Sequence, residues 1–357
     1  MERIDRVIKS MEDHGVDSLL IMKDANLRYV SHFTGSESYL IITAKKKILI
    51  TDSRYTEQAE QECPGFEIVR YRHPFPSLEE TLKTMVSRLH ITRLGFEKDY
   101  LTFDGYENIS HALPDLEFVP TLGIVESVRS IKDPHEIDFM KRAAHIADMA
   151  FTNILKYVHI GITEKDIETE LEYVMKRQGA FSTAFPTIVA SGPRSSLPHG
   201  VPSQRQIQYG DLITLDFGAL YEGYRSDMTR TVAMGKADAK QKQIYDLVLY
   251  AQKEGVQAIS AGIKASQVDH RVRNIIKEAG YGEFFSHGLG HGVGLEIHEA
   301  PSLNSRNEEI LVSGNVVTVE PGIYLPNWGG VRIEDTVLVT ERGCEVLTHA
   351  PKELMIL

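Results

Sequence analysis

Four carboxylates in the second half of this 357-residue chain stand at matching places in two apolar, β-branched runs. Leu212, Ile213, Thr214 and Leu215 lead into Asp216, and Val316, Val317, Thr318 and Val319 lead into Glu320. A second acid follows each, Asp227 and Glu334, inside another strand-like segment. One acid at a strand end is ordinarily just solvated. Four that converge repel one another and hold their protons unless a cation neutralises them, and one or two divalent metal ions are the simplest cations. Between the acid pairs lies a Gly-rich segment, 286–299, carrying His287, His291 and His298. Its glycines, at 288, 290, 292 and 294, let backbone and a ligand approach closely. They lack the G-x-G-x-x-G spacing of a dinucleotide site. The G-x-S-x-G, H-E-x-x-H and C-x-x-C patterns are absent. Oxygen donors with one imidazole suit Mn²⁺, Co²⁺, Fe²⁺ or Zn²⁺. Paired ions about 3.5–4 Å apart polarise a carbonyl and steady the developing oxyanion, which is the chemistry of peptide-bond hydrolysis.

The elements that must position these groups form a diluted internal repeat. Gly161-Ile162 with Ile167-Glu168 recurs as Gly262-Ile263 with Val268-Asp269, and Gly179 recurs as Gly280, each 101 residues on. The Gly210–Asp216 run recurs 104 residues on as 314–320, and Arg225, Asp227 and Thr229 recur 107 residues on as Arg332, Glu334 and Thr336. Both halves read as helix, helix, then antiparallel strands ending in acids, so the repeat predicts a pseudo-twofold domain with its strands meeting at the middle. That domain opens at Asp133-Pro134-His135-Glu136, which combines a capping acid, a first-turn proline and an acid three residues after the cap. The helix that follows keeps Ile137, Met140, Ala144, Ala147, Phe151, Ile154 and Val158 on one face.

The first third predicts a mixed α/β domain. An amphipathic helix opens it from Met1 and Glu2, a buried strand follows at 18–22, a hairpin pairs 38–43 with 47–51, and helices fill 53–62 and 77–90. Residues 125–131 read as a polar connector, so the domains divide as 1–122 and 123–357.

The sequence is 42% hydrophobic and 25% charged, which excludes wholesale disorder, and its net charge of −11 disfavours nucleic-acid partners. No apolar stretch is long enough for a membrane span or a signal peptide. Two cysteines, Cys63 and Cys344, make no disulfide framework, so a cytoplasmic location is expected.

The motifs Leu215-Asp216-Phe217-Gly218, Asp227-Met228-Thr229-Arg230, the 290–299 segment, Val319-Glu320-Pro321-Gly322 and Arg332-Ile333-Glu334-Asp335 resemble the creatinase/methionine-aminopeptidase, or pita-bread, metallopeptidases. The resemblance is to the Xaa-Pro dipeptidase (prolidase) and aminopeptidase P branch. It covers the whole chain and implies an α+β architecture: a creatinase-type N-terminal domain and a pita-bread catalytic domain. It implies Asp216 as terminal ligand of one metal, Asp227 and Glu334 as bridges, and His291 and Glu320 completing the second, with Mn²⁺ ahead of Co²⁺, Zn²⁺ and Fe²⁺. Glu320 would also pass a proton to the leaving proline nitrogen. His298 resembles the histidine that contacts the scissile carbonyl, His287 a histidine near the proline ring, and His199 a substrate histidine carried by a loop. Arg332 resembles an arginine that meets the substrate carboxylate or orders the adjacent acids; a structural ion pair with Glu334 or Asp335 is the competing reading. For Trp328 and Tyr324, packing is favoured over a place in the pocket. The implied substrates are peptides with proline after the scissile bond, and the implied assembly is a homodimer with one subunit's N-terminal domain near the other's active site.

An Xaa-Pro dipeptidase is the leading expectation, and an Xaa-Pro aminopeptidase acting on longer peptides is the alternative. A non-catalytic peptide-binding relative is the reading from another class. Creatinase itself works without metal, and all five ligand positions here keep ligating residue types.

Overall fold

The computed structural model describes residues 3–357, so Met1 and Glu2, where the opening helix was expected to begin, lie outside the described residues. The chain forms two compact units, 1–129 and 130–357.

The first unit is built on one mixed sheet of six strands. Their order is Glu67–Arg70, Lys47–Thr51, Tyr39–Thr43, Ser18–Ile21, Arg93–Glu97, Glu117–Thr121. The hairpin pairs antiparallel as expected, and Arg93–Glu97 lies parallel to Ser18–Ile21. Ser77 caps the helix Leu78–Leu89 in a capping box with Glu80. The segment read as a connector is instead a helix, Ile124–Arg129, and it moves the division from 122/123 to 129/130. Its Ile124, Val125 and Val128 are buried, and Arg129, buried as well, donates to Asn26 Oδ1 at 2.6 Å. A buried arginine gives a helix a polar composition, which hides it from a hydrophobicity reading.

The second unit contains the repeat. Asp133 and Glu136 form the expected capping box, worth about 1 kcal/mol for the cap, on the helix Pro134–Ile154. Both halves then turn on glycines at φ 93° and 91°, Gly161 and Gly262, where a side chain would be strained. Each turn leads to a helix, Glu164–Arg177 or Ala265–Glu278. Corresponding hydrogen bonds confirm the pseudo-symmetry. Gly161 N–H donates to Ile207 O at 2.9 Å, and Gly262 N–H to Leu311 O at 2.8 Å. Asp211 and Asn315 likewise accept the Gln208 and Val312 N–H groups, each at 2.8 Å.

Each half has its own apolar core. One gathers Ile146, Phe151, Ile167, Leu171, Ile213 and Leu215; the other gathers Ile244, Val248, Val268, Val272, Val317 and Val319. In the first half Leu212–Phe217 lies antiparallel between Ile188–Ser191 and Met228–Ala233. In the second, Val316–Val319 lies antiparallel between Gly290–Gly292 and Asp335–Thr340. The halves meet through Glu334 N–H on Thr229 O at 3.1 Å and Thr336 Oγ1 on Asp227 O at 2.8 Å. Among the described residues no helix is long and apolar enough to cross a membrane.

Candidate metal centre

Period-2 geometry decides which carboxylates gather. Asp216 is within the strand Leu212–Phe217, opposite Thr229, and Glu320 immediately follows Val316–Val319. Asp227 and Glu334 were expected inside strands but stand one residue before Met228–Ala233 and Asp335–Thr340. There the backbone has left the ladder and the side chain can turn toward the other half. All four acids and His291 line one cavity of about 340 Å³ in the second unit. One ligating atom each from Asp227, His291 and Glu334 lies within 4.8 Å of the others.

Asp216, Asp227 and Glu334 are buried and Glu320 is half-buried, and the physical consequence is strong. Burial, then Glu334, Asp216 and Glu320, push Asp227 well above the usual carboxylate range. Burial with Glu320 and Asp216 does the same to Glu334, and burial first pushes Glu320 up to about 8. His291 is pulled down to about 4 by burial. Its Nδ1 faces Gly292 O at 3.1 Å, a contact an N–H must make, so Nε2 carries the lone pair. That lone pair sits 3.5 Å from both Asp227 Oδ2 and Glu320 Oε1. Lone pairs facing carboxylate oxygens at this distance repel without a cation between them. Asp216 Oδ1 is buried with no hydrogen-bond partner. The donor set therefore fits divalent metal.

Two glycines of segment 286–299 serve the close backbone approach expected of them. A Cβ on Gly290 would fall on the backbone of Thr318, and one on Gly292 on that of Glu299 and Ala300. They let strands approach closely, placing His291 beside Glu320; Thr318 Oγ1 also accepts the His291 N–H at 3.1 Å.

His298 and His199 line the cavity, and the His298 ring packs edge-on to His291 with centroids 4.3 Å apart. His287 and Arg332 do not line it. Arg332, buried, donates to Asp216 Oδ2 at 2.6 Å, to Tyr324 OH at 2.8 Å and to Thr229 Oγ1 at 3.1 Å. Tyr324 OH in turn meets His287 Nε2 at 3.0 Å. The alternative pairing of Arg332 with Glu334 or Asp335 is replaced by this one. Asp335 faces Arg230 and Lys352, and Glu334 accepts from Thr229 Oγ1 at 2.7 Å. Trp328 packs against the second core under Lys240.

The rest of the wall is Glu168, Phe185, Pro186, Thr187, Ile188, Val201, Pro202 and Ile297. None of these was singled out from sequence as part of a site. The repeat held one clue, because Glu168 corresponds to Asp269. Asp269 is tied to Arg273 at 2.9 Å, whereas the position matching Arg273 is Glu172, and Glu168 pairs instead with Lys165 at 2.5 Å.

Comparison with known proteins matches residues 138–341 to the Metallopeptidase family M24 and residues 3–131 to the Creatinase/Prolidase N-terminal domain. An Xaa-Pro dipeptidase of Pyrococcus furiosus is 40% identical over 358 residues, covering 99% of each chain. The solved structure of an Xaa-Pro dipeptidase from Bacillus anthracis superposes with a TM-score of 0.97 at 48% identity, covering 100% of this chain and 99% of that one. That of an X-Pro aminopeptidase from Thermotoga maritima gives 0.92 at 40% identity, covering 100% of each chain.

Proposed function

The chain belongs to metallopeptidase family M24, with a creatinase/prolidase N-terminal domain, and from this premise we propose that it is a metal-dependent Xaa-Pro dipeptidase. The observation that carries the reading is the meeting of Asp216, Asp227, His291, Glu320 and Glu334 on one cavity. In this reading two divalent ions would be held by Asp216, Asp227, His291, Glu320 and Glu334, with Asp227 and Glu334 serving both, Asp216 one, and His291 with Glu320 the other. Bound there, the ions supply Lewis acidity and a nucleophilic oxygen at neutral pH. Mn²⁺ is the first choice, with Co²⁺, Zn²⁺ or Fe²⁺ as alternatives.

The chain's own residues supply the remainder. Glu320 moves a proton from the attacking oxygen to the leaving proline nitrogen. His298 donates to the oxyanion as it develops, and His199 holds the substrate. Phe185, Pro186, Ile188, Val201, Pro202 and Ile297 give the wall an apolar surface for a proline ring. Arg332 orders Asp216 and does not meet the substrate, and His287 acts through Tyr324. The protein works as a homodimer; light scattering that finds only the 40.1 kDa monomer overturns this. Its cysteines, both unpaired, suit the cytoplasm.

The likeness to an X-Pro aminopeptidase keeps a second reading, cleavage of longer peptides. Rates on an Xaa-Pro dipeptide and on an Xaa-Pro-Yaa tripeptide decide. Preference for the tripeptide makes the aminopeptidase correct. A protein that purifies without divalent metal and cleaves neither is a binding-only relative.

A further inference from the structure

The two halves of the repeat differ at one buried position in a way that the shared fold does not require. Glu164 N–H donates to Arg205 O at 3.1 Å, and its counterpart Ala265 N–H donates to Glu309 O at 2.9 Å. Lys165 N–H and Ser266 N–H repeat the correspondence on Ser203 O and Asn307 O. The backbone arrangement therefore works with a methyl side chain. Glu164 nevertheless puts a carboxylate there with 0% exposure, and burying a charge is costly unless it is fully hydrogen-bonded.

Its partners explain the burial. Oε1 accepts from Ser191 N–H at 2.8 Å and Ser191 Oγ at 2.7 Å. Oε2 accepts from Ser203 N–H at 3.0 Å, from Ser203 Oγ at 2.7 Å and from Arg194 Nη1. Arg194 also donates to Val201 O at 2.7 Å. Ser191 and Ser203 are the two ends of one loop, and that loop carries His199, Val201 and Pro202 to the cavity. A single carboxylate thus ties both ends of the loop, and through Arg194 its far side as well.

We infer that Glu164 is a positioning residue for the cleavage reaction, acting through His199. The inference rests on the proposed substrate-holding role of His199. Glu164 is not on the cavity wall and reaches the substrate only by holding the loop. Removing it therefore costs activity chiefly while His199 is there to be held, beyond a smaller effect through Val201 and Pro202.

A double-mutant cycle tests this, with Glu164→Gln and Arg194→Met each made in native and His199→Ala backgrounds. Steady-state kinetics on Met-Pro, metal content and hydrogen exchange over 192–203 are measured for each. With His199 present, either change lowers kcat/KM by about tenfold or more; with His199→Ala the further loss is under about twofold. Metal content stays at the native level, and exchange over 192–203 rises. Equal losses in both backgrounds overturn the inference, as does unchanged exchange. Should Glu164→Gln not fold, Arg194→Met, changed at a partly exposed residue, carries the comparison. If His199→Ala is fully active, Glu164 has nothing catalytic to position and the inference falls while the peptidase reading stands. If the native enzyme cleaves no Xaa-Pro peptide, the peptidase reading falls, and the exchange measurement still decides whether Glu164 holds the loop.

Discussion

Arg332 and Asp216 lie 116 residues apart, one in each half of the repeat, and the guanidinium donates to the carboxylate at 2.6 Å in a buried site. Arg332 is a positive charge set among four acids, and it bonds Asp216, Thr229 and Tyr324 at once. It holds Asp216 directly and Glu334 through Thr229 Oγ1. An arginine suits this place because its planar fork makes several bonds of fixed direction, which an ammonium cannot.

Replacing Arg332 by Met is expected to weaken metal binding about 10–100-fold, as loss of groups that orient ligands does. Arg332→Lys should recover little, since one ammonium cannot reach Asp216, Tyr324 and Thr229 together. Metal-competition titration checks both. Native affinity in Arg332→Met would show that the pair does not order the ligands.

The buried acids predict a pH dependence with a definite sign. Asp227, Glu334 and Glu320 have folded values above their unfolded ones, Glu320 at about 8. The metal-free folded state therefore binds more protons than the unfolded chain, and its stability falls as pH rises through this window. Metal must displace those protons, so its affinity should rise with pH up to about 8. His291, at about 4, is already neutral and releases none. Calorimetry of metal binding at pH 7 in buffers of different ionisation enthalpy should register proton release. Binding without proton release contradicts the placement of these acids.

Asp227→Asn follows from the same repulsion. It removes a carboxyl whose ionised form is penalised on folding, so the metal-free protein should melt higher than native at pH 8. It also removes a shared ligand, so added Mn²⁺ should no longer raise the melting temperature and turnover should vanish. A metal-free variant that melts lower than native would mean that the four acids do not destabilise one another.

The legible part of this molecule was what repeats or alternates. The acids showed because two apolar strand runs end in them, and Pro134–Ile154 showed through its cap and its stripe. Glu164 and the Phe185–Ile188 wall stayed hidden because what they meet lies tens of residues away and no period links them. Arg332 was readable as important, but its neighbours in sequence suggested the wrong partners. Arg332 ends the strand Gly329–Arg332 and Asp335 begins Asp335–Thr340, so nearness in sequence does not make them partners: Asp335 turns to Arg230 and Lys352, and Arg332 finds Asp216. The glycines of 286–299 suggest close approach of backbone and of a ligand, and at Gly290 and Gly292 it is the backbone of neighbouring strands that comes close.

His291 and His298 stand edge to face 4.3 Å apart, so their roles cannot be told from position alone. The difference lies in their surroundings. The lone pair of His291 Nε2 faces Asp227 and Glu320 at 3.5 Å, the arrangement of a ligand. His298 shares the cavity wall and meets His291 through its ring. A donor that acts on the oxyanion contributes mainly in the transition state, and losing one typically costs about 10²–10³ in turnover with little change in ground-state binding. His298→Ala should therefore keep its full metal content and a near-native KM while kcat falls by that factor. His291→Ala should lose one of two metals, and excess Mn²⁺ should restore part of its activity by mass action. Elemental analysis and steady-state kinetics on the two variants separate these outcomes. Equal loss of metal from both would place His298 among the ligands and remove it from the oxyanion.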